Sequence, residues 1–318
     1  MKQKINKLDM KILAELDKDS SQPINKIAKK LRINQATINL RLKKLIKNKI
    51  ILGFYPSIDL SKLGFFAVRV YMDFKNTKPE KEKIIINELK SNKSCTIIAE
   101  LEGNYDLMIA VTVKRIEEFY EFWKNFKEKH GKNISKEEVN IFIKVEHFGR
   151  RYLTKTTSQK LISVGMSKPE KIDEKSKKIL SILAKDCRTS AVDVEIKTKI
   201  PARTVLHKIR QLENKKIILG YHTNLNLNAI GYEYYKINLK LNDYSKAKEI
   251  NQLIRNNLNV IFIDYTISKW DIEIDLEVQN KKELKKFVDE IKEKYPNITE
   301  IEIISFSKYH KIETIPFY

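Results

Sequence analysis

The sequence predicts an α+β protein built from two tandem units, each a winged helix-turn-helix followed by a ferredoxin-like βαββαβ domain. Three observations carry this expectation. IILGF at 50–54 returns as IILGY at 217–221, and the stretches before both copies align at the same offset of 167. A repeat of this kind sets the architecture before any local reading. Each copy opens with three short segments of helical apolar spacing, and each continues with strand and helix signals in alternation.

In the first copy, Leu8, Ile12, Leu13 and Leu16 mark a first helix. PINKIAKKL at 23–31 gives a second, with Pro23 suited to its first turn and Ile27 and Leu31 on one face. Asn34 is a good N-cap for a third helix, which turns Ile38, Leu42 and Leu45 inward. IILGFYPSIDL then has the β-branched, aromatic and turn residues of a small hairpin, the wing. FFAVRVYMDF, CTIIAEL, YDLMIAVTV and EEVNIFIKVEHF read as strands, with KPEKEKIIINELKSN and EEFYEFWKNFKEKH as helices between them. That order is βαββαβ. Helices cover one sheet face, and the other still bears Val, Ile and Met, so something must cover it.

The second copy repeats this order: INKLDMKILAEL at 5–16 falls on IDEKSKKILSIL at 172–183, and LEGNYDLMIAVTV at 101–113 on TISKWDIEIDLEV at 266–278 after a two-residue deletion. The expected divisions are 1–60 and 172–227 for the winged segments, 61–150 and 228–318 for the ferredoxin-like domains, and 151–171 for a linker or docked arm. The arm has no steady period and is rich in turn residues.

With 62 Lys+Arg against 41 Asp+Glu, the chain carries a formal charge of +21. A charge this lopsided points to a polyanion, nucleic acid first; the plainer reading is a composition rich in lysine. The two cysteines fit a reducing compartment, no run reaches the length of a membrane span, and the N-terminus lacks a signal peptide's apolar core. A cytoplasmic protein is expected. No metal-ligand spacing, phosphate loop or nucleophile elbow occurs, and no cofactor is implied.

LDMKIL in the first helix, NQATINLRLKKL in the third, GF after the wing strand and GNYDLMIAV in the ferredoxin-like hairpin resemble the Lrp/AsnC family of transcription regulators. The resemblance covers nearly all of both copies. It implies a DNA-binding regulator whose units dimerise through the open sheet face, so that this tandem chain forms an intrachain pseudo-dimer, with room for higher homo-oligomers. It also implies a small-molecule effector, often an amino acid, near the G-x-Y-D turn: Gly103, Asn104, Tyr105 and Asp106. A well-made hairpin turn is the equal alternative for these four. In the second copy Ser268, Lys269 and Trp270 replace the first three, which puts a site there in doubt.

On the third helix of copy one, Ala36, Leu40 and Lys43 face outward, flanked by Gln35, Asn39 and Lys44. Asn39 and Gln35 suit adenine, and Ala36 or Leu40 a thymine methyl. Arg41 matches an arginine of the family but lies beside the core. In copy two the outward set is Arg203, His207 and Arg210, with Arg203 suited to guanine. An asymmetric operator follows, one half A/T-leaning and one containing G. Lys29, Lys30, Arg32, Lys47 and Lys49 are expected on phosphates. Copy two departs from the pattern: Ala28 becomes Glu195, which needs a partner, Leu31 becomes Thr198, and the capping Asn34 becomes Pro201. The alternative reading is a siroheme decarboxylase-like tetrapyrrole enzyme on the same two-domain unit. It would want histidines near the hairpins, and His130, His147, His207, His222 and His310 all lie elsewhere.

Overall fold

The computed structural model describes residues 5–155 and 161–316. Unit one runs α1 (Lys7–Lys18), α2 (Ile24–Leu31), α3 (Gln35–Lys47), β1 (Ile51–Ile58), β2 (Phe66–Phe74), α4 (Pro79–Ser91), β3 (Cys95–Glu102), β4 (Leu107–Val113), α5 (Ile116–His130) and β5 (Ile134–His147). A short strand, β6 (Ile162–Gly165), follows in the arm. Unit two runs α6 (Glu174–Lys185), α7 (Ala191–Thr198), α8 (Ala202–Asn214), β7 (Ile218–Leu225), α9 (Leu227–Ile230), β8 (Glu233–Leu241), α10 (Ala247–Asn256), β9 (Val260–Ile267), β10 (Ile272–Val278), α11 (Lys281–Lys294) and β11 (Ile298–Ile312).

Local chemistry starts each helix of the first head. The Asn6 side chain accepts from the Asp9 amide while the Asp9 carboxylate accepts from the Asn6 amide, a reciprocal capping box for α1. Pro23 sits at the N-cap of α2, one place before the first turn. Asn34 Oδ1 accepts from the Ala36 amide at 2.7 Å and caps α3. Ile12, Leu13, Leu16, Ile27, Ile38 and Leu45 then meet in one core.

The wing differs from expectation. Residues 51–58 form a single strand, not a hairpin, and its partner is β7, the same strand of the other copy. The reason lies just beyond it. Asp59 caps a 3-10 turn at Leu60–Leu63 that ends on Gly64 at φ 76°, so the chain passes on to β2 instead of doubling back. A strand with a distant partner has the same local composition as half a hairpin. The exchange is reciprocal: Leu225 completes the core of head one, and Ile58 that of head two.

The other nine strands form one sheet in the order β2-β4-β3-β11-β8-β10-β9-β5-β6, and β5 also pairs with β2, which closes a ring of eight. Two long strands make the closure. β5 pairs with β2 through 134–141 and with β9 through 141–147, while β11 pairs with β8 through 298–305 and with β3 through 305–312. The arm adds β6 to the end of β5. Where the arm crosses the wing ribbon, a Cβ at Gly220 would stand 2.8 Å from Ile162 Cδ1, so a larger residue there would displace the tip of that side chain. The helices α4 and α5 cover the outer face of the first sheet half, and α10 and α11 that of the second.

The inner faces correct the expectation of an apolar surface. Copy one does present Ala99, Leu101 and Met108, with Tyr71. Copy two presents Lys236, Asn238, Asp264, Glu273, Asp275 and Glu302, all buried. DIEIDLEV alternates strictly, and its apolar residues face the helices, which leaves the acids facing the other copy.

Candidate nucleic-acid interface

On α3, Gln35, Ala36, Leu40 and Lys43 are exposed and Asn39 half-buried, while Ile38, Leu42 and Leu45 are in the core. Leu40 is 69% exposed, unusual for a leucine unless the surface has a use. Arg41 is partly buried with its guanidinium 3.6 Å from Asp9, as its place beside the core implied. Of the expected phosphate contacts, Lys29, Arg32, Lys47 and Lys49 are exposed, whereas Lys30 is held by Glu15 at 2.7 Å. The lysines Lys18 and Lys30 hold the Glu15 carboxyl below its ordinary value against the opposing push of burial.

On α8, Arg203, His207 and Arg210 are exposed around the buried Val205 and Leu212. Glu195 has its partner: Oε2 accepts from the Ala202 amide at 3.1 Å and caps the helix that Pro201 cannot cap by side chain. The replacements at 195 and 201 therefore compensate each other. The two heads differ in charge. Residues 24–49 hold nine basic and no acidic side chains; residues 191–216 hold seven basic and three acidic. Lys208 is moreover engaged by Asp173 at 2.7 Å. On the outer face of α7, Val192 and Ile196 stand where α2 has Asn25 and Lys29.

The turn residues Gly103, Asn104, Tyr105 and Asp106 come together at the β3–β4 hairpin, with Gly103 at φ 124°. Their polar groups are engaged. Asn104 Nδ2 donates to Glu302 at 3.0 Å, Tyr105 Oη donates to Glu138 at 2.8 Å, and Asp106 accepts from the Phe74 amide at 2.8 Å. Lys269 and Trp270, at the equivalent turn of copy two, both reach Glu138 in copy one. Glu138 and Glu302 occupy equivalent places on β5 and β11, so each hairpin clasps the long strand of the other copy.

Behind the hairpins lies a buried ionic layer that sequence reasoning missed. Arg69 and Lys236 are equivalent cations. Arg69 meets Asp264 at 2.9 Å and Glu273 at 3.2 Å; Lys236 meets Asp264 at 2.6 Å, Asp275 at 3.0 Å and Glu273 at 3.4 Å. Burial pushes the Asp264 carboxyl up, yet Lys236 and Arg69 hold it below its ordinary value. Burial, with repulsion from Asp264, pushes the Asp275 carboxyl up in spite of Lys236. The alternating acids of DIEIDLEV were the available signal.

A second, half-buried arginine joins head to sheet. Arg150 bonds Asp17 of α1 at 2.9 Å, Glu277 of β10 at 3.0 Å and the Thr223 carbonyl of β7 at 3.1 Å. Tyr152 Oη adds a bond to Glu277 at 2.5 Å. In copy two, the residue after the equivalent Thr314, Ile315, inserts into the core of head two. Beside Arg150, the rings of His147 and His222 lie 4.3 Å apart. His130 bonds Glu88, His310 bonds Glu100, and His207 is exposed on α8.

Among the described residues no cluster of three or more His, Cys, Asp and Glu could hold a metal ion, and no helix is long and apolar enough to cross a membrane. Cys95 and Cys187 are buried and free.

Comparison with known proteins places these features. A family model described as winged helix-turn-helix DNA-binding matches residues 5–51. The HTH-type transcriptional regulator Ptr1 of Methanocaldococcus jannaschii is 30% identical over 118 residues, which is 37% of this chain and 78% of that protein. An uncharacterised HTH-type transcriptional regulator of Pyrococcus furiosus is 29% identical over 147 residues, 46% of this chain and 96% of that one. Among solved structures, the siroheme decarboxylase NirDL is similar over 98% of this chain and 94% of its own, with a TM-score of 0.65 at 14% identity, a likeness of fold. E. coli AsnC covers 46% of this chain and 99% of its own with a TM-score of 0.42 at 17% identity.

Proposed function

The chain belongs to the Lrp/AsnC family of DNA-binding transcription regulators, and from that premise we propose that it works as an intrachain pseudo-dimer with two unequal reading heads. The observation that carries the proposal is the surface of head one, where α3 presents Gln35, Ala36, Asn39, Leu40 and Lys43 amid nine basic and no acidic residues. Lysines and arginines supply affinity that falls steeply with salt, and the outward side chains supply base preference. Head two contributes Arg203, His207 and Arg210 with a weaker field, so head one bears most of the non-specific grip. The exchanged strands β1 and β7 hold the heads in one mutual arrangement, which fixes the spacing of the half-sites.

An effector, an amino acid by family precedent, acts in this reading at the Gly103–Asp106 turn. There it competes for the Asn104–Glu302 and Lys269–Glu138 bonds that cross between copies, and so biases how the copies and chains assemble.

The chain acts as a regulator and not as an enzyme. The competing reading, tetrapyrrole decarboxylation, is favoured by the full-length likeness to NirDL. Against it stand histidines that lie away from both hairpins and an inner layer filled by Arg69, Lys236 and their carboxylates. One pair of assays separates the two. Binding to duplex DNA is titrated at several salt concentrations with the wild type and Asn39→Ala, and siroheme is incubated with the protein and followed by mass. The regulator reading expects salt-dependent binding, weakened by about 1–3 kcal/mol at preferred sites in Asn39→Ala, with siroheme unchanged. Loss of carboxyl groups from siroheme without DNA binding would reverse it.

A further inference from the structure

Among the described residues, seven other than glycine have positive φ, and four of them lie in the heads: Arg32 and Lys49 at 55°, Lys199 and Lys216 at 58°. They are two equivalent pairs at the repeat offset of 167. Arg32 and Lys199 are the C-cap residues of α2 and α7, in the turn before each reading helix. Lys49 and Lys216 close the ends of α3 and α8, their amides donating to Ile46 and Glu213 carbonyls at 2.9 Å. A left-handed residue at a helix end is most cheaply glycine, because a Cβ is strained there. The chain does use glycine at the paired turn outside the heads, Gly64 and Gly231 at 76° and 81°. Inside the heads it places a long cation at every one of the four.

Basic residues fill about one position in five of this chain, so composition alone does not readily put them at four out of four. All four are exposed, and none is in an ion pair among the described residues. Strain kept where a cheaper residue would serve points to a use for the side chain. A cation near a helix C-terminus also gains from the helix dipole. The dipole does not explain why the paired turn at Gly64 and Gly231 keeps glycine while both head turns do not.

We propose that Arg32, Lys49, Lys199 and Lys216 are phosphate clamps, one at either end of each reading helix, and that head two therefore grips the DNA backbone although α7 keeps only one of the three lysines of α2. This rests on the regulator reading and deepens it. Each pair brackets its recognition helix, one cation before the N-terminus and one after the C-terminus. Phosphate contacts made there fix the helix in the groove without reading sequence.

The test uses the full chain and two duplexes, one bearing a selected site and one scrambled, in a salt series read by fluorescence anisotropy, with thermal melting alongside. The variants are Lys49→Gly, Lys199→Gly, Lys216→Gly and Lys216→Arg. Glycine relieves the backbone, so each glycine variant melts at the wild-type temperature or above it. Each nevertheless binds both duplexes about two- to ten-fold more weakly, and its log–log salt slope is shallower by about 0.9 for each phosphate that is no longer neutralised. Lys216→Arg keeps the wild-type slope. Unchanged affinity and slope in Lys199→Gly and Lys216→Gly, beside a normal wild type, overturn the clamp in head two and leave the regulator reading standing. A wild type that binds neither duplex at low salt overturns both.

Discussion

His222 lies on β7 with both ring nitrogens buried and lacking a hydrogen-bond partner, against His147 on one side and Tyr55 on the other. Arg150 adds positive charge, while Asp17 and Asp19 oppose it. Burial lowers both histidines from the ordinary 6.5, and His147 is pushed down further by His222 and Arg150. The folded state thus refuses protons that the unfolded chain accepts below the ordinary value. Stability is complete above that value and is lost as pH falls from it toward the lowered folded values. The melting temperature should therefore drop between about pH 7 and 5, before the depressed carboxylates Glu15 and Asp264 come into play. His222→Phe should flatten that drop, because it removes one of the two rings that titrate there. An unaltered pH slope would show that the pair does not govern it. Neither this pair nor the Glu195 cap can be recognised from sequence. His147 and His222 are 75 positions apart, and Glu195 becomes intelligible only once Pro201 is seen to leave an amide uncapped.

At the scale of elements, the wing strands are the point where local sequence signals mislead. IILGF and IILGY have strand-forming composition and do form strands, but besides its own head each packs on the first helix of the other copy: β7 on α1 and β1 on α6. Period and propensity report that a segment is extended; they do not report its partner. The exchange makes a testable claim about which residue supports which head. Leu225→Ala, made in copy two, should destabilise head one by about 2–4 kcal/mol, and Ile58→Ala, made in copy one, should destabilise head two by a similar amount. Hydrogen exchange resolved by segment reads this directly. Faster exchange in α1–α3 for the first variant and in α6–α8 for the second is expected, and faster exchange confined to the mutated copy would contradict the strand swap. The helices of copy one were legible to within a residue or two, because Asn34 and the apolar spacing carry local information that tertiary context did not override.

Across the whole molecule, the two copies are complementary and not interchangeable. Copy one brings Arg69, Asn140 and a largely apolar inner face; copy two brings Lys236 with Asp264, Glu273 and Asp275. Two copy-two faces packed together would bury six of these carboxylates against two lysines, an arrangement that buried charge does not tolerate. The layer thus specifies pairing of unlike copies, which is consistent with a chain that carries both. The repeat, the βαββαβ order and the need for a cover on the open face could be read from the sequence. The identity of the cover, and the way β5 and β11 cross from one copy to the other to close the ring, could not, because strand pairing is a long-range property.

Unlike copies in a fixed arrangement should read unlike half-sites, and that is the central claim. The direct measurement is selection of bound sequences from a random duplex pool by the intact chain, repeated with Asn39→Ala and Arg203→Ala. A bipartite asymmetric motif is expected, with an A/T-leaning half relaxed by Asn39→Ala and a G-containing half relaxed by Arg203→Ala. A perfect palindrome, with both halves responding to one substitution, would contradict it.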